Sequence, residues 1–149
     1  MEVQPDFRDL LESFHRNGVE FVIVGAYALA FHGVPRSTGD LDLLLKPGRE
    51  NAERVIAALA EFGFASLGLA VDDFIVADRV IQLGVAPVRV DLLLSISGVS
   101  WDEVETGRVS ANYGDVQVWF LGKNEFLTNK RATGRKKDLA DLEALGESG

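Results

Sequence analysis

Apolar positions along this chain follow two rhythms, and each change of rhythm marks the edge of an element. Phe7, Leu10, Leu11 and Phe14 recur at helical spacing, which predicts a first helix with Asp6 as its cap after Pro5 and a stop at "RNG". "EFVIVG" is a short β-branched apolar run ending at Gly25, the pattern of a buried strand. "AYALAFHG" predicts a short helix of good formers closed by Gly33 and Pro35. "DLDLLL" predicts a second strand and "KPGRE" a turn; a helix from Asn51 to Glu61 follows, with Ile56, Leu59 and Ala60 toward the core.

The middle of the chain is weaker in pattern. "VDDFIVADR" reads as a short helix or an irregular loop, while "VIQLG" and "RVDLLLSI" read as strands able to pair as a hairpin across "VAPV". "WDEVETG" predicts about one helical turn, and "RVSANYGDVQVWFL" two extended arms around a tight turn at Tyr113-Gly114. From Lys123 the helical rhythm returns, divided by Gly134 into "KNEFLTNKRAT" and "RKKDLADLEAL". Helices interspersed with adjacent strands imply an α/β (α+β) fold, a mixed β-sheet with flanking helices rather than a wholly parallel doubly wound sheet. With 149 residues and no repeat or linker, the expectation is a single domain over 1–149, a core of 1–122 followed by a helical C-terminal segment of 123–149.

Composition narrows the function classes. Hydrophobic residues at 47% and charged residues at 26% belong to an ordinary soluble protein, and no apolar run approaches the roughly 18 residues of a membrane span, so no membrane partner is expected. The start, "MEVQPDFRDLLESF", is acidic where an export signal would be basic and then apolar. The absence of cysteine removes disulfides, thiolate metal sites and a cysteine nucleophile, and the expected location is cytoplasmic. A net charge of −8 weighs against a protein that coats extended duplex DNA. Lys123, Lys130, Arg131, Arg135, Lys136 and Lys137 nevertheless form a local basic island, suited to a small polyanion or an RNA end, or else to a solvated helix face.

Candidate chemistry centres on Asp40 and Asp42. One residue apart on a strand, they project to the same face, with Leu41, Leu43 and Leu45 on the other. At that range each raises the other's pKa unless a cation holds both ionised. Oxygen ligands of this kind favour Mg²⁺, which shares its shell with substrate phosphates; taken alone, the pair also reads as a solvated strand end. Asp91, an acid set in the apolar run "VRVDLLLSI", changes that balance. If its strand lies beside "DLDLLL", three carboxylates meet, as in displacements at phosphorus by two metal ions. The rival is an ion pair between Asp91 and Arg89, two residues earlier on the same face.

These residues resemble the nucleotidyltransferase superfamily with the DNA polymerase β type of catalytic fold, in particular its small bacterial members related to the AbiEii toxin group and the minimal nucleotidyltransferases. The signature is a hydrophobic residue, Gly, then Gly or Ser, a spacer, and Asp-hydrophobic-Asp/Glu-hydrophobic. Here it reads "VGA", thirteen residues from Tyr27 to Gly39, then "DLDL"; "RVDLL" matches the third carboxylate strand and "NKRATGRKKDLADLEAL" the terminal helical segment. The resemblance implies a nucleotidyltransferase-like fold in which Asp40, Asp42 and Asp91 are catalytic and hold two Mg²⁺ ions. It also implies that Gly25 and Ala26 let the backbone approach a nucleoside triphosphate such as ATP, although Ala26 stands where Gly or Ser is usual and offers no hydroxyl. Gly25 alone reads equally as a turn glycine.

Arg36 and Thr38 are placed to reach a phosphate or to cap their loop, and Lys130 and Arg135 are candidates for the β and γ phosphates or the acceptor. Asp138 and Asp141, three apart on a helix, pair with Lys137 or neighbouring bases in preference to a metal. His32 is expected to be a structural histidine before a proton carrier, and His15 a surface residue. The implied reaction moves a nucleoside monophosphate from an NTP to a hydroxyl of a protein or RNA end, and likeness to toxin components adds an antitoxin protein to the expected partners. Two rivals use the same scaffold: a non-catalytic nucleotide- or partner-binding module, and a phosphohydrolase with water as acceptor.

Overall fold

Residues 3–34, 39–63, 68–76, 78–84 and 88–146 are described by the computed structural model. The first helix, α1 (Pro5–Arg16), buries the four apolar residues of its periodic stripe together with Ser13. Its cap is Gln4 rather than Asp6: the Gln4 side chain accepts from the amides of Asp6 and Phe7, so Asp6 already lies inside the first turn. Strand β1 (Phe21–Val24) is buried throughout, and the short helix α2 (Gly25–Phe31) follows it without an intervening loop.

Strand β2 (Asp40–Leu45) leads to α3 (Arg49–Phe62), whose buried side is Asn51, Ala52, Val55, Ala58 and Leu59. Ala60 is exposed and Ile56 only half-buried, so the apolar face is rotated from the expected one. The rotation follows from Asn51. Its side-chain nitrogen donates to the Glu20 and Lys46 carbonyls and its oxygen accepts from the Glu20 amide, pinning the helix start to the ends of β1 and β2. A 3-10 turn at Val71–Phe74 replaces the ambiguous helix or loop.

Strands β3 (Val80–Leu83) and β4 (Arg89–Leu93) pair antiparallel; of the turn expected across "VAPV" and marked by Gly84 and Pro87, residues 85–87 lie outside the described residues. Helix α4 (Trp101–Gly107) opens with a reciprocal Ser100–Glu103 capping box. Strands β5 (Val109–Tyr113) and β6 (Val116–Phe120) form the expected hairpin, with Tyr113 opposite Val116, so the turn residues are Gly114 and Asp115, one position later than expected. Two helices end the described chain, α5 (Lys123–Thr133) and α6 (Lys136–Ala144), separated at Gly134, which caps α5 in the left-handed conformation.

The sheet is mixed, in the order β3-β4-β2-β1-β6-β5. β1 is antiparallel to β2 and parallel to β6, while β2 and β4 are parallel. The central strands are therefore β2 and β1, and the apolar cluster spreads from their leucines and valines to α1, α3 and Phe126 of α5. Aromatic contacts tie the helices to the far half of the sheet: Phe7 meets Tyr27 edge-on, Tyr27 meets Tyr113, and Phe31 stacks on Phe120 at 4.3 Å. Among the described residues, no helix is long and apolar enough to cross a membrane.

Candidate functional site

Parallel pairing of the adjacent strands β2 and β4 is what assembles the acids. In register, Asp42 lies opposite Asp91 and Asp40 opposite Arg89, and cross-strand partners share a face, so all four charged groups project together. The alternating leucines, Leu41 and Leu43, are fully buried on the other side. Toward the end of β2 the alternation disappears because Leu44 and Leu45 are both covered.

Gly25 ends β1 and starts α2 at φ +69°, and a side chain there would meet an obstacle as well as backbone strain. A Cβ would land on the Asp42 carboxylate. The glycine therefore makes room for the acid itself, a role more specific than that of a turn residue. The first turn of α2 has Val24 as its N-cap, with no side-chain oxygen on its amides.

A cleft of about 280 Å³ opens here, lined by Gly25, Ala26, Asp40, Asp42, Lys130 and Arg135 among others. Four of the expected phosphate-site residues, Gly25, Ala26, Lys130 and Arg135, thus share one cavity with two of the expected metal ligands. Arg36 and Thr38 lie outside the described residues. Asp91 is not among the described residues that line the cleft; it is buried beside Asp42, with only 9% of its surface exposed.

The electrostatics of the acids are those of an under-neutralised cluster. Burial, then repulsion from Asp91 and Asp40, pushes the Asp42 pKa up to about 6, opposed by Arg89 and Lys130. Arg89 supplies the expected rival contact: its Nε and Nη2 donate to the two oxygens of Asp91, each at 3.0 Å, and its Nε lies 3.6 Å from Asp40. Hydrogen bonding to Asp91 in turn raises the Arg89 pKa. In type and in shared face the three carboxylates suit a hard divalent cation. As arranged, however, no three acidic or imidazole groups among the described residues form a ready metal-holding set.

Helices α5 and α6 and their junction add Phe126, Lys130, Arg135 and Asp141 to the lining. Asp138 is wholly buried and accepts from Lys130 Nζ at 3.1 Å, Thr133 Oγ1 at 2.6 Å and Arg135 Nε at 2.7 Å. The Arg135 bond, followed by those of Thr133 and Lys130, outweighs burial and holds the Asp138 carboxyl well below the usual range. Asp141 is also buried and lies 3.6 Å from Lys130. Both acids do pair with bases, as their spacing suggests, but the partners are cleft residues; the side chain of Lys137, the expected partner, lies outside the described residues. Sequence reasoning missed that Asp138 organises the two cationic cleft residues. The signal available was an acid eight residues after Lys130 and three after Arg135, across the Gly134 bend.

Other candidates are structural. His32 Nε2 donates to the Leu121 carbonyl at 2.7 Å, joining the end of α2 to the end of β6, and His15 is exposed. Arg108 lies over the Trp119 ring at 4.1 Å, away from the cleft lining.

Neither a family model nor a curated protein matches the chain. Among solved structures, it is similar to a candidate nucleotidyltransferase from Thermotoga maritima, with a TM-score of 0.59 at 13% identity over 97% of this chain and 93% of that one. It is also similar to an antigenic nucleotidyltransferase-like protein from Paracoccidioides brasiliensis, with a TM-score of 0.54 at 13% identity over 93% of this chain and 72% of that one. At such identities the likeness is one of fold.

Proposed function

We propose that this chain is a metal-dependent nucleotidyltransferase that transfers a nucleoside monophosphate from an NTP to an acceptor hydroxyl, with pyrophosphate leaving. The observation that carries the reading is the cleft itself, whose lining brings Asp40 and Asp42 together with Lys130 and Arg135 and with Gly25 and Ala26 at the uncapped start of α2. A triphosphate needs cations, amides and a metal within a few ångströms, and this arrangement offers the first two directly and carboxylates suited to the third.

Asp40, Asp42 and Asp91 would hold Mg²⁺, two ions being expected. When bound, Mg²⁺ supplies neutralisation of the phosphate oxygens and lowers the pKa of the acceptor hydroxyl. The chain's own residues do the rest. Gly25 and Ala26 present backbone to the phosphates at the positive end of α2, and Lys130 and Arg135 balance charge on the β and γ phosphates. Asp91, the most buried of the three acids, would accept the acceptor's proton. Ala26 leaves this work to amides alone. The acceptor is proposed to be a protein side chain or an RNA end, reached over the basic α5–α6 wall. A role as the toxin of a toxin–antitoxin pair, of the AbiEii-like kind, belongs to the same proposal, as does a cytoplasmic location.

The test is equilibrium binding of each NTP with Mg²⁺, repeated with EDTA and with an Asp40→Asn, Asp42→Asn double variant, followed by a search for transfer from α-labelled NTP. Metal-dependent binding lost in the variant supports the reading, and transfer to an acceptor separates it from phosphohydrolysis, which would release phosphate with water alone. A second reading, a non-catalytic nucleotide- or partner-binding module, is favoured by one observation: among the described residues the acids are not arranged as a ready metal-holding set. NTP binding that is indifferent to EDTA would select it.

A further inference from the structure

The reading above leaves Arg89 without a task, although its guanidinium lies among the carboxylates that the metal would need. The parallel register puts Arg89 beside Asp40 on the same sheet face as Asp42 and Asp91. It engages both oxygens of Asp91 at 3.0 Å and approaches Asp40 at 3.6 Å. Asp91 is nearly buried, whereas 36% of the Arg89 side chain is exposed, so the guanidinium is the partner free to leave.

We infer that Arg89 is a built-in counter-cation that competes with the divalent metal for Asp91, and so sets the metal concentration at which the site loads. A guanidinium and a divalent cation repel each other, and the fork already occupies one acceptor site on each Asp91 oxygen. Loading is therefore favoured when Arg89 releases Asp91 and turns toward solvent. The edge strand contributes only Gln82 opposite Asp91, a neutral group that cannot substitute for the arginine.

The inference rests on the proposed metal site, and the experiment separates the two. The full chain is titrated calorimetrically with Mg²⁺ and with Mn²⁺ as wild type, Arg89→Met and Arg89→Lys, and each form is melted in EDTA and in saturating metal. Release of one charge-assisted fork predicts binding about tenfold tighter in Arg89→Met. Arg89→Lys, which keeps the charge but loses the fork, also binds more tightly, though less so. In EDTA Arg89→Met melts below wild type, and metal closes that gap. Equal metal affinity in all three forms, or Arg89→Lys indistinguishable from wild type, overturns the inference while leaving the metal site standing. Absence of metal binding in every form overturns both. Should Arg89→Met fail to fold, Arg89→Lys alone decides the question.

Discussion

Asp42 concentrates the conflict of this molecule in one carboxyl. Its pKa of about 6 means that the folded, metal-free protein resists ionising it, first through burial and then through Asp91 and Asp40. Replacing it with Asn removes a penalty at neutral pH while deleting a ligand. The expected outcome for Asp42→Asn is a metal-free protein more stable by about 1 kcal/mol or more in urea unfolding at pH 7.5, together with loss of metal binding. Gly25 is the complementary case. Gly25→Ala combines left-handed backbone strain with a collision against Asp42, and should destabilise by about 2 kcal/mol. In the double variant Gly25→Ala, Asp42→Gly, much of the collision is removed and only the backbone strain persists. Denaturant melts of the two singles and the double would measure that coupling.

Elements, not residues, decide where the cations of the cleft stand. Lys130 belongs to α5 and Arg135 caps α6, and Asp138, buried at their junction, fastens both. Asp138→Ala should destabilise the protein by about 2 kcal/mol in chemical unfolding, because buried bonds to charged donors are lost. It should also weaken triphosphate binding through misplaced cations, whereas Arg131→Ala, on the same helix but not in the cleft lining, should change that binding little. The α3 helix makes a similar point for stability alone. Asn51→Leu leaves the Glu20 amide without its side-chain acceptor and should lower the melting temperature by several degrees without affecting the cleft.

At the scale of the whole molecule the two acids with the largest shifts, Asp42 and Asp138, act in opposite directions on the pH dependence of stability. Asp138 has a lowered folded pKa, so its contribution is complete above the ordinary carboxyl value of 3.8 and is lost as pH falls below it. Asp42 has a raised one, so its contribution is complete below 3.8 and is lost as pH rises through about 6. Metal-free protein should therefore gain stability on leaving strong acid, then lose part of it between about pH 4 and 6. Melting temperatures taken across that range in EDTA, and again with saturating Mg²⁺, check this: bound cation should remove the decline by keeping Asp42 ionised at no penalty.

Much of this architecture was legible in the residues because it is local. The stripe of Phe7, Leu10, Leu11 and Phe14, the β-branched run before Gly25, the hairpin around Gly114 and the split at Gly134 each depend on periodicity or on a conformation that glycine adopts easily. The shared face of Asp40 and Asp42 follows from strand geometry alone. Other features depend on contacts between segments distant in the chain. That Asp91 lies opposite Asp42, rather than merely on a similar strand, was decided by the parallel pairing of β2 with β4. The rotation of α3 was decided by Asn51 bonding to β-strand ends, and the work of Asp138 by the bend that folds α6 back on α5. The sequence by itself determined which residues carry charge and which face of an element they occupy, since both follow from covalent order and backbone period. Which charges meet, and that Arg89 rather than solvent faces Asp91, only the tertiary structure decided, because ion pairing depends on distances set by packing between elements.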